Sequence, residues 1–116
     1  MATTNFDEQI RTDLDTFLSL KSKISLQTDD VINIGAFVGA NFLRILYREQ
    51  KNVDNKQINT IFGIISNHYH NLFGDQLTNE NYQQLADKAL KELQDVNFEQ
   101  NMHDFFSKIV EEANGK

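Results

Sequence analysis

A chain of 116 residues with 40% hydrophobic content and nine Phe has the material for one real core, which excludes a disordered acidic chain. The absence of Cys removes disulfides, thiolate metal sites and cysteine nucleophiles together, and the absence of Pro, where average usage of ~5% would place about five or six, argues for long helices over a sandwich or barrel. A formal net charge of −6 disfavours nucleic acid and anionic membranes as partners.

The first predicted helix runs from Phe6 to about Ile24, with Asn5 as cap and Glu8 placed to close a capping box. Phe6, Ile10, Leu14, Phe17 and Leu18 recur at helical spacing, while Asp7, Arg11, Asp13 and Asp15 fill the other face.

The second helix, about 29–50, is predicted to be central. Asp29 and Asp30 sit at the positive end of its dipole, and Arg44, Arg48 and Lys51 at the negative end. Val31, Ile34, Val38, Phe42, Ile45 and Leu46 form one face, and Ile32, Phe37, Leu43 and Tyr47 extend it over more than half the circumference. A helix that apolar belongs in the interior. Its uncharged centre, Val31 to Leu43, is thirteen residues long, too short to span a bilayer.

The third helix opens on Asp54 with Gln57 three residues on, and Val53 and Ile58 form a hydrophobic staple. Its stripe is Ile58, Ile61, Phe62, Ile65, Tyr69 and Leu72, and Gly74 ends it with a left-handed residue. The fourth begins at Thr78 or Asn79 and runs to about Asp95 on Tyr82, Leu85, Ala86, Ala89, Leu93 and Val96. The fifth follows Asn97, read as a cap, and reaches about Ala113 on Phe98, Met102, Phe105, Phe106, Ile109 and Val110. No Pro enforces a break at Asn97, so helices four and five are open to being one kinked helix. The expectation is one all-α domain over residues 1–116, a compact bundle of four to five helices.

Two features stand out against this frame. Gly35, Ala36, Gly39 and Ala40 form a small-residue notch inside the second helix. Each helical Gly costs about 1 kcal/mol relative to Ala, so something must offset it. Close helix packing is the first explanation; a pocket for a small ligand beside Gly35 and Gly39, and a homodimer seam, are the alternatives. The second feature is a basic cluster. Residues 31–53 carry a net charge of +2, from Arg44, Arg48 and Lys51 against Glu49, while the segments on either side are negative. Tyr47 lies among these cations, with Phe37 and Ala40 one to two turns earlier, and aromatic-plus-Arg composition is what binding hot spots favour. The competing explanations are dipole charge with local ion pairs, and an anionic small ligand.

Catalytic and cofactor readings find no support. His68 and His70 lie two apart and point in different directions on a helix, and Glu99 with His103 is a lone pair, so neither a metal nor a haem is expected. Gly35 and Gly39 sit within a helix without a following Gly-Lys-Ser/Thr, and no Ser occupies a nucleophile-elbow context. The N-terminus shows no basic segment followed by an apolar run. The expectation is a cytoplasmic, non-enzymatic protein that binds another protein through Phe37, Arg44, Tyr47 and Arg48, with Tyr69 or His70 as neighbours. The alternative is a small-molecule sensor. Lys outnumbers Arg eight to three, and Asn and Ile are plentiful, which points to an AT-rich bacterial, phage or plasmid gene. Small helical inhibitor, immunity and regulatory proteins are the matching class.

Overall fold

The computed structural model describes residues 2–22, 27–49 and 53–115, with side chains in the first stretch from Asp7 to Leu20. Five α-helices and no strand occur among them: α1 Ala2–Ser22, α2 Thr28–Glu49, α3 Asn55–Phe73, α4 Asn79–Gln94 and α5 Phe98–Asn114. The predicted all-α bundle is present. Its radius of gyration of 13.9 Å is that of a compact chain of this length.

α1 begins earlier than its sequence signal. Asn5 lies inside the helix rather than capping it, and Ile24, the predicted end, falls outside the described residues. The Asp54 cap of α3 forms as expected: its carboxylate accepts from the Gln57 N–H at 2.9 Å, and the Asp54 N–H donates to Gln57 Oε1 at 3.1 Å. Thr78 does the same for α4, with Asn81 as reciprocal partner at 3.1 and 2.8 Å. Gly74 takes a φ of +58° and donates its N–H to His70 O. Its ψ of −126° lies outside the left-handed helical well, in a region that only glycine occupies easily. The chain then makes a short 3₁₀ turn over Gly74–Gln76 before α4.

α4 and α5 are separate helices, and Asp95 breaks them. Its backbone is extended, at φ −77° and ψ 128°. Asp95 Oδ1 accepts from the Asn97 N–H at 2.8 Å, and its carbonyl accepts from Phe98 N at 3.1 Å. Asn101 Nδ2 clamps the corner by donating to Glu92 Oε1 at 3.1 Å and Asp95 Oδ2 at 3.3 Å. Asn97 occupies the position before α5, but its side chain makes no capping bond. Val96, expected in the apolar stripe of α4, projects from this turn and is 95% exposed. Leu72, expected in the stripe of α3, is half exposed at that helix's end.

α2 is central, as predicted. Eleven of its residues are buried, from Val31 to Leu43. It packs most extensively on α4 and also on α1 and α3. Each fully buried Val, Ile, Leu or Phe contributes about 1.5–3 kcal/mol, so this helix organises the core. Counted as a whole helix, α2 is long and apolar enough to cross a bilayer, but most of that span is buried inside the bundle. α1 is tied to α3 by His68 Nε2, 2.7 Å from Asp15 Oδ1, and to α5 by the Phe17–Phe106 stack at 3.8 Å. No described buried side-chain N or O atom lacks a hydrogen-bond partner.

Candidate functional site

The Gly-Ala notch is a packing surface. A Cβ on Gly35 would stand 2.6 Å from Leu85 Cδ1 and 3.0 Å from the Tyr69 hydroxyl; one on Gly39 would stand 3.0 Å from Ile65 Cδ1. Ala36 and Ala40 are fully buried. Side chains of α3 and α4 therefore fill the space that a ligand pocket or a dimer seam would need. The offset for two helical glycines is the close approach of those neighbours to the α2 backbone.

Of the four residues expected to form a partner-binding face, three lie together in the structure. Residues 44, 47 and 48 lie three and four apart, on one side of the last turns of α2. With Leu93 and Gln94 from the end of α4, Arg44, Tyr47 and Arg48 line an open groove of about 490 Å³. Arg44 is half-buried there. Its Nη1 donates to the Leu93 carbonyl at 3.3 Å, and its guanidinium carbon lies 4.9 Å from the Phe98 ring centroid. Leu93 O is one of the last carbonyls of α4, which the helix itself leaves unsatisfied. Arg48 is 71% exposed, and its Nη2 lies 3.9 Å from Glu99 Oε1. Tyr47 is 44% exposed. Lys51, the third cation of the cluster, lies outside the described residues.

Phe37 does not belong to this face. It is 5% exposed, and its ring meets Phe105 at 5.1 Å, Phe106 at 5.9 Å and Phe98 at 6.2 Å. The position sits seven residues before Arg44, nearly two full turns, and α5 covers that level of the helix. Tyr69 is likewise fully buried, its hydroxyl donating to Val31 O at 2.8 Å. Burial pushes that hydroxyl's pKa well above the ordinary tyrosine value; Tyr82 adds a smaller rise and the Gly35 backbone partly opposes it. His70 lies 3.4 Å from the Tyr82 hydroxyl and lines a different groove with Ser66, Asn67 and Asn79. Tyr82 and Leu93 are eleven residues apart on α4, roughly 16 Å along the helix, so His70 is no neighbour of Arg44.

The sequence reading missed Leu93, Phe98 and Glu99 as parts of this region, and missed the exposure of Val96. Leu93 and Val96 carried an apolar-stripe signal that placed them inward. The available clue was Asp95-Val96-Asn97, two turn-forming residues around a Val, which marks a loop in which a Val cannot be buried as a helix residue would be.

A groove of about 540 Å³ also runs along α5 past Met102, Phe106 and Val110. His103 Nε2 lies 3.5 Å from Ser107 Oγ on that helix. No group of three or more His, Asp or Glu that could hold a metal occurs among the described residues. No protein-family model, no curated protein and no solved structure matches the chain.

Proposed function

We propose that this is a non-enzymatic helical protein that acts by binding another protein, through the groove between the end of α2 and the end of α4. One observation carries the reading: Tyr47 stands 44% exposed between two arginines on a molecule whose net charge is −6. Tyr and Arg are enriched among residues that dominate binding energy. Leu93, in the lining of the same groove, adds to the apolar part of the surface. The cytoplasm suits a chain without Cys, and the role that fits is inhibitory, immunity-type or regulatory, in an AT-rich bacterium, phage or plasmid.

The test is affinity capture with the full chain and with an Arg48→Glu, Tyr47→Ala double variant. Arg44 is left alone because it also holds the Leu93 carbonyl. The variant should keep its helical circular dichroism and lose the captured protein. Capture that survives both substitutions removes this face from the mechanism.

A further inference from the structure

Resting on that reading, we infer that the groove accepts an acidic segment of the partner protein, a carboxylate beside an apolar side chain, and that Glu99 of this chain holds the carboxylate's place on Arg48 until the segment arrives. The two arginines differ in a way that suits this. Arg44 is already immobilised between the Leu93 carbonyl and the Phe98 ring. Its planar fork keeps further N–H donors on a head that loses little freedom when a carboxylate docks. Arg48 pairs with Glu99, at 3.9 Å with the two side chains 71% and 75% exposed. An ion pair that loose and that wet contributes little. An incoming carboxylate can replace Glu99 on Arg48 at small cost and gain a bidentate contact.

The apolar half of the occupant follows from Tyr47, 44% exposed, and from Leu93, both in the lining of the groove with the two cations. A free phosphate would use the arginines and leave these uncovered. Nucleic acid is disfavoured by range. Its charges repeat every ~1.7 Å along the axis, so an extended polyanion meets the acidic remainder of a chain whose net charge is −6. A short segment with one or two carboxylates responds mainly to charges within the Debye length of ~8–10 Å.

The probe is a phage-displayed random-peptide library, selected on the immobilised full chain near physiological salt. The enriched peptides should place Asp or Glu next to Leu, Phe, Tyr or Trp. A representative peptide should lose affinity at least about tenfold when its acids become Asn or Gln, or when the protein carries Arg48→Glu. Glu99→Gln should tighten binding about two- to fivefold by removing the internal competitor. Four results overturn the inference, in whole or in part, in distinguishable ways. Enrichment of neutral or basic peptides that still need Tyr47 and Arg48 removes the acidic occupant and leaves the face. Enrichment indifferent to Arg48→Glu and Tyr47→Ala removes the face as well. Preference for a single-stranded oligonucleotide over the selected peptide, or a concentration-dependent dimer that Arg48→Glu dissolves, replaces the occupant with a different one. Unchanged or weakened binding by Glu99→Gln removes the competitor role of Glu99.

Discussion

The Tyr69 hydroxyl donates to the Val31 carbonyl at 2.8 Å in the interior, joining α3 to the first turns of α2. Tyr69 is fully buried, so its O–H has no water to turn to. Tyr69→Phe should cost about 1–2 kcal/mol and lower Tm by roughly 3–8 °C. The same residue gives an alkaline signature. An unfolded tyrosine ionises near pH ~10, whereas burial keeps Tyr69 protonated in the native chain. Above that pH the unfolded state binds fewer protons than the native one, so unfolding becomes easier by up to ~1.4 kcal/mol per pH unit for this group. Its contribution is complete below pH ~10 and is lost as pH rises further. Urea titrations across that range should show a steeper fall for the wild type than for Tyr69→Phe; parallel curves would refute the assignment.

Three glycines in helices offer a graded test of the notch. Gly63 has nothing within 4 Å of where its Cβ would go, so Gly63→Ala should stabilise by about 0.5–1 kcal/mol. At Gly39 the nearest atom is the Ile65 methyl terminus at 3.0 Å, and substitution should be close to neutral. At Gly35 the added carbon meets Leu85 at 2.6 Å and a Tyr69 hydroxyl pinned by its own hydrogen bond. Gly35→Ala should therefore lose about 1–2 kcal/mol despite its better helix propensity. The order of denaturation midpoints is the readout, and a stable Gly35→Ala protein would mean that close packing is not what the glycine serves.

The corner between α4 and α5 separates two residues that look equally suited to hold it. Asp95 accepts from Asn97 N and from Asn101 Nδ2, whereas the Asn97 side chain makes no capping bond. Asp95→Ala should cost about 1–2 kcal/mol, and Asn97→Ala no more than about 0.5. Asp54→Ala and Thr78→Ala, which remove complete capping boxes, should each cost about 1 kcal/mol. Equal effects at positions 95 and 97 would contradict this account of the turn.

Phe37 and Tyr47 separate core from surface on one helix. Phe37→Ala empties a site enclosed by three phenylalanine rings and should cost about 3–5 kcal/mol. Tyr47→Ala removes a ring that is 44% exposed and should change stability by no more than about 0.5 kcal/mol. Chemical denaturation of the two variants side by side decides the matter. It also shows which substitution can be used in a binding experiment without losing the fold.

Local chemistry was enough to predict the helices, the central place of α2 and the cap at Asp54, and it narrowed the start of α4 to Thr78 or Asn79. Periodicity and capping act between residues three and four apart, and the chain carries that information on its own. The cation-aromatic grouping of Arg44, Tyr47 and Arg48 was legible for the same reason, since all three sit on one side of one helix. What covers each level of α2 was not. Phe37 and Tyr47 are both aromatic flank residues of an over-wide apolar face; α5 packs over the first and leaves the second in water. Val96 shows the reverse case, an apolar residue in phase with its helix until Asp95 ends that helix and turns it outward. Arg44's hold on the Leu93 carbonyl and Arg48's approach to Glu99 join positions about fifty residues apart. Only the tertiary fold, by choosing which helices pay the burial of α2, could bring those groups to one groove.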